Sequence, residues 1–138
     1  MTKEIKLGGF RFTKQSVERN ENFKGEVKVS PNMNIKSIEK FKSENIKKES
    51  LKVEFKFEVD YGELGKVFLE GFLFLITDPK TQKEALDSWK NKKLDNDINL
   101  IILNIIMQKA SIKAMSLEEE FGLPLHVQIP RLQLGKKE

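Results

Sequence analysis

Cysteine is absent from the 138 residues, which removes disulfides, thiolate chemistry and sulfur-ligated metals together and fits a reducing compartment. Histidine, tryptophan and tyrosine occur once each. The lone histidine, His126, has Leu125 and Val127 as neighbours, with no second imidazole or thiolate to share a metal. It reads as a partly buried loop residue, not as a ligand or base. Also missing are a phosphate-cradling glycine loop, a dinucleotide fingerprint, a calcium loop and a nucleophile elbow. No metal and no cofactor are expected. A catalytic site is not expected either, because no convergent set of reactive side chains can be assembled from these residues.

Long apolar runs are missing as well. The amino end, Met1 to Leu7, has no apolar stretch of signal-peptide length. The longest run, Leu100 to Met107, is interrupted by Asn104 and falls well short of the roughly 20 apolar residues that a bilayer requires. A soluble cytoplasmic protein without membrane insertion is the expectation. Charge of one sign is scarce: 25 basic residues face 21 acidic ones, and Lys and Glu alternate. A nucleic-acid footprint is usually concentrated, so nucleic acid is an unlikely partner.

What is present suits one α+β domain spanning residues 1–138. Ile5, Leu7, Phe10 and Phe12 belong to an extended segment in which the Gly8-Gly9 pair marks a bulge. Glu26 to Ile35 alternates, with Val27, Val29, Met33 and Ile35 on one face. Pro31, which cannot donate to a ladder, places that strand at an edge. Lys36 to Lys48 reads as strand end and mobile crossing loop. Leu51, Val53, Phe55, Phe57, Val59 and Tyr61 then alternate strictly with charged residues, giving a strand with one core face. Gly62 and Gly65 bracket a turn into Lys66 to Thr77, where Val67, Leu69, Leu73 and Leu75 share one face and Phe68, Phe72, Phe74 and Ile76 the other. Both faces of this strand are apolar, so both call for cover.

Asp78-Pro79 combines an N-cap with proline at the first helical position, starting a helix to about Asn91. Asp95 and Asp97 open a long helix so apolar around its circumference that burial on more than one side is expected. Ser116 and Glu119 have the form of a capping box, which suggests a break near Ser116 and a short restart to Phe121. Gly122 then caps. Pro124 and Pro130 keep the tail extended, so it should run back as a strap. Glu118, Glu119 and Glu120 point in different directions on a helix and read as a solvated turn. The lysine pairs at 47–48, 92–93 and 136–137 read as solubilising.

The excess of two-sided apolar surface is the feature that demands an explanation. Burial between symmetric subunits is the ordinary one, and a groove for apolar polypeptide is compatible with it.

The layout resembles the SecB-type export chaperones, with four antiparallel strands, a long helix and a proline-bracketed tail. Gly122-Leu-Pro-Leu-His-Val-Gln-Ile-Pro130 is similar to the family's tail, and Val67-Phe-Leu-Glu-Gly-Phe72 resembles its last strand. The resemblance implies an ATP-independent holdase that binds unfolded polypeptides or preproteins, for export, as a dimer of dimers. Its expected client contacts are Phe68, Phe72 and Phe74, with Leu123, Leu125 and the 36–48 loop lining the same groove. Leu103, Ile106 and Met107 are expected at subunit contacts or in the core. Family members dock a translocation ATPase on an acidic sheet face. Here Lys52, Glu54, Lys56 and Glu58 mix signs, so this ATPase partner is the part of the resemblance that the chain supports least. The alternative is a structural or adaptor subunit whose apolar faces are all permanently buried.

Overall fold

The structure is a computed structural model that describes residues 5–42, 50–91, 93 and 96–127. Strands β1 (Ile5–Arg19), β2 (Ser30–Phe41), β3 (Ser50–Asp60) and β4 (Gly65–Thr77) are followed by helices α1 (Pro79–Lys90) and α2 (Asn96–Phe121). The strands form one antiparallel sheet in the order β1-β4-β3-β2. This is the expected α+β architecture, a four-stranded antiparallel sheet and a long C-terminal helix.

Local chemistry accounts for most of the boundaries. A single 3-10 turn, Gly62–Leu64, joins β3 to β4, with Val59 facing Val67 and Leu51 facing Leu75. The paired glycines of β1 produce the expected bulge, a register shift between Leu7 and Gly9 against β4. A second shift between Phe12 and Lys14 has no such signal. Pro31 lies in β2, an edge strand. That strand starts at Ser30 and not at Glu26, and it runs on to Phe41 through residues whose polarity suggested a loop. The polar positions are tolerated because an edge strand packs against only one neighbour. The remainder of the expected loop, 43–48, lies outside the described residues.

The inner face of the sheet carries the core. Val53, Phe55, Val59, Val67, Leu69, Leu73 and Leu75 are fully buried, each large side chain contributing on the order of 1.5–3 kcal/mol relative to exposure. Gly71 interrupts this row for a reason: a Cβ there would lie 2.2 Å from the Arg11 carbonyl oxygen and 3.0 Å from the Phe55 ring. The space is taken by an aromatic cluster, with Phe10 stacked on Phe55 at 5.1 Å and Phe12 at 6.2 Å from the same ring.

Helix α1 begins as its sequence dictates. Asp78 is the N-cap, its carboxylate accepting from the Thr81 N–H at 3.0 Å and from the Thr81 hydroxyl at 2.6 Å. These bonds hold the Asp78 carboxyl below its ordinary pKa. Ala85 is buried, and Leu86 and Trp89 pack against the core.

Helix α2 touches all four strands and corrects two expectations. It passes Ser116 without a break, ending only at Phe121, because Ala114, Leu117 and Glu118 on either side of that residue are all drawn into the interior. Nor is it buried on several sides by its own chain. Ile98, Ile102, Ile106, Ala110 and Ala114, at four-residue spacing, form the buried stripe, while Leu100, Met107 and Ile112 are 61%, 44% and 71% exposed. By length and composition, Asp97–Phe121 is also apolar enough to cross a membrane, although no single run within it is. Gly122, at φ 65°, closes the helix, with Leu123 N–H donating to Glu118 C=O and Gly122 N–H to Glu119 C=O, the Schellman pattern.

Candidate functional site

Two regions hold side chains beyond what the core requires. The first is the outer face of the sheet, opposite the helices. Position follows from register: Gly9, Phe74, Lys52 and Glu39 form one row across the four strands. Arg11, Phe72, Glu54 and Ser37 form the next, followed by Lys14, Glu70, Lys56 and Asn34. Phe68, Phe72 and Phe74 are each half-buried, and no described element of the chain lies over them.

Cations stand over these rings. The Arg11 guanidinium lies 5.7 Å from the Phe72 centroid and 5.3 Å from that of Phe74. Lys52 Nζ is 4.3 Å from Phe72 and 5.8 Å from Phe41, and Lys14 Nζ is 5.6 Å from Phe68. Phe41 also packs on Phe74 at 5.1 Å, so the end of β2 joins the expected phenylalanines. Lower on the face, Lys36 bonds Glu70 at 2.5 Å and approaches Glu54 at 3.7 Å. The bond to Lys36 holds the Glu70 carboxyl below its ordinary pKa and raises that of the Lys36 ammonium.

The groove expected from sequence does not assemble as a unit. Leu123 is 5% exposed and belongs to the core cluster on the helix side of the sheet. It lines a cleft of about 550 Å³ there with Arg19, Phe23, Leu64 and Pro124. Leu125, half-buried, follows it in the same segment. Neither shares a surface with Phe68, Phe72 and Phe74, because β4 alternation sends the three rings to the opposite side. Of the expected interface residues, Ile106 is fully buried in its own chain's core, Leu103 is half-buried against that core, and Met107 is exposed. Ile106 is therefore core, and Met107 is open to a partner. The strap beyond Val127, with Ile129, Pro130 and Leu134, lies outside the described residues.

The second region is a buried polar cluster that sequence reasoning missed. Glu118, expected in a solvated turn, is fully buried, while Glu119 and Glu120 are exposed as expected. The Tyr61 hydroxyl donates to its Oε2. His126 Nδ1 is 3.0 Å from both carboxylate oxygens, and His126 Nε2 is 3.1 Å from Ser111 Oγ. Burial, and then the adjacent Glu118, raise the Tyr61 pKa above its ordinary value and keep the phenol a donor. In the neutral Nδ1–H tautomer, Nδ1 donates to Glu118 and Nε2 accepts from the Ser111 hydroxyl; Phe57 supports the imidazole edge-to-face at 5.6 Å. His126 is a partly buried loop residue as expected, but it sits in a convergent set of side chains, contrary to the expectation that these residues assemble none.

Hydroxyl, imidazole and carboxyl thus stand in the order of a nucleophile triad. Among the described residues the surroundings do not complete one. Ser111 lies in the interior of α2, where backbone N–H groups are already bonded within the helix and cannot receive an oxyanion. The adjoining cleft is lined by Glu118, Gly122 and Leu123 and by neither Ser111 nor His126. The cluster fastens the segment after Gly122 to the helix and to the end of β3. No group of three or more His, Asp or Glu side chains suited to a metal occurs among the described residues.

No protein-family model matches the chain, and no curated protein or solved structure shows significant similarity to it.

Proposed function

We propose that this protein is an ATP-independent holdase of the SecB-like kind, a cytoplasmic, non-enzymatic homo-oligomer that binds unfolded or preprotein polypeptides. The observation that carries this reading is the outer face of β4. Three phenylalanines are spent there although the inner face alone supplies the core, and no described element covers them. Apolar rings rimmed by cations lower the free concentration of aggregation-prone chains while remaining soluble, and this needs no nucleotide. The exposed Leu100, Met107 and Ile112 of α2 supply apolar surface for subunit association, consistent with a dimer of dimers. The mixed signs of Lys52, Glu54, Lys56 and Glu58 speak against docking of a translocation ATPase by charge.

The same exposed helix surface favours a second reading, an adaptor or structural subunit whose apolar faces are all buried in one fixed assembly. Dilution of an unrelated, chemically denatured protein separates the two, once light scattering has established the assembly state. A holdase suppresses aggregation without ATP, and Phe72→Asp weakens suppression while leaving fold and assembly intact. A stable oligomer that suppresses nothing overturns the holdase reading in favour of the adaptor.

A further inference from the structure

The outer face is not uniform along the strands, and its two halves differ in how their charges are used. Around Glu70, cations and carboxylates answer one another: Lys36 pairs with Glu70 and Glu54, and Lys66 Nζ lies 3.8 Å from Glu58. Lys14 and Lys56 add to the positive field at Glu70. Nearer the Phe41 end, Arg11 and Lys52 lie over rings and make no ion pair among the described residues. Glu39, in register with Lys52 across β2 and β3, makes no ion pair with it either. The five side chains Arg11, Phe72, Phe74, Lys52 and Phe41 therefore form a patch with an apolar floor and two cations available to a ligand.

We infer that this patch selects polypeptide segments in which aromatic residues are interspersed with Asp or Glu. The inference rests on the polypeptide-binding reading and adds a client preference to it. Aromatic side chains extend the ring-on-ring packing already present between Phe41 and Phe74, at 5.1 Å. Carboxylates reach the guanidinium of Arg11, which is exposed, and the ammonium of Lys52, which is half-buried. A segment rich in lysine meets like charge at both cations and loses this term. Single-stranded nucleic acid also combines stacking with anionic charge. Its regularly spaced phosphates would, however, run past Glu54, Glu70 and Glu58 on the same face, whereas a polypeptide places its few carboxylates only where cations stand.

The test uses the assembled full-length protein and three fluorescein-labelled peptides. They carry identical aromatic residues and differ only in having Asp, Asn or Lys at the intervening positions. Anisotropy titration is expected to show the Asp peptide binding roughly tenfold more tightly than the Lys peptide. The order should collapse in the double variant Arg11→Gln with Lys52→Gln and invert in Arg11→Glu with Lys52→Glu. Circular dichroism and light scattering confirm that both variants stay folded and assembled. Equal affinity for all three peptides overturns the charge preference and leaves the holdase reading standing. Absence of binding by every peptide also overturns it, and the aggregation assay on the same preparation then decides the holdase reading separately. Tight binding of a labelled oligouridylate, abolished in Arg11→Glu with Lys52→Glu, overturns it in favour of a nucleic-acid surface.

Discussion

Alternate residues of β4 occupy opposite environments. Val67, Leu69, Leu73 and Leu75 are fully buried on the face that carries α2, whereas Phe68, Phe72 and Phe74 are half-buried beneath cations. The side chains are similarly apolar and only their phase differs. Apolarity alone therefore does not make a core; a second layer does, and among the described residues only the inner face has one. The outer phenylalanines instead gain from cations laid over their faces, a contact that leaves the ring edges free to meet another molecule.

Leu73→Ala against Phe72→Ala tests this contrast most directly. Truncating Leu73 should cost about 3 kcal/mol through lost burial and a cavity, and truncating Phe72 about 1 kcal/mol, both read by urea denaturation of the assembled protein. Equal costs would break the contrast and mean that the outer face is buried between subunits, as the adaptor reading requires.

The polar cluster sharpens the inner side of the comparison. Glu118→Ala leaves Tyr61 and His126 buried without their shared acceptor and should cost on the order of 3 kcal/mol. Tyr61→Phe, which removes one donor, should cost about 1 kcal/mol. Because the Tyr61 pKa is raised by folding, the stabilisation from its protonated form is complete below the ordinary phenol value and declines as pH rises above it. The wild type should lose stability on the alkaline side that Tyr61→Phe does not, as followed by thermal melts across alkaline pH.

The smallest effect belongs to the outer face. The Glu70 pKa is depressed by Lys36, so its contribution is present above the ordinary carboxylate range and is lost as pH falls through the depressed value. Glu70→Gln should move the acid-unfolding midpoint by on the order of a few tenths of a pH unit. A larger shift would show that this half of the face is desolvated in the assembly.

Much of this architecture is legible residue by residue. Strict alternation from Leu51 to Tyr61, the Asp78-Pro79 start, the Gly122 stop, the Gly8-Gly9 bulge and the edge position of Pro31 each express a local rule, and each appears in the structure. The length of β2 beyond Ile35 was not legible, because its polar residues are carried by pairing with β3 and not by their own pattern. Continuity of α2 through Ser116 was hidden because a capping-box signature is overridden when the neighbouring residues pack. Burial of Glu118 was hidden for a deeper reason: its partners Tyr61 and His126 come from different elements, and nothing local announces a carboxylate that tertiary structure will satisfy. The phenylalanine face was legible as apolar. Its cations were not, since Arg11 and Lys52 reach the rings only through the pairing of β4 with both β1 and β3.

The order β1-β4-β3-β2 also bears on how the chain reaches this state. β2, β3 and β4 are sequential neighbours and can zip together as they are synthesised, but β1 is made before all of them and pairs only with the last. Until β4 emerges from the ribosome, Phe10 and Phe12 have no partner strand. During synthesis the nascent chain thus carries an unpaired, partly apolar first strand until its last strand has been made.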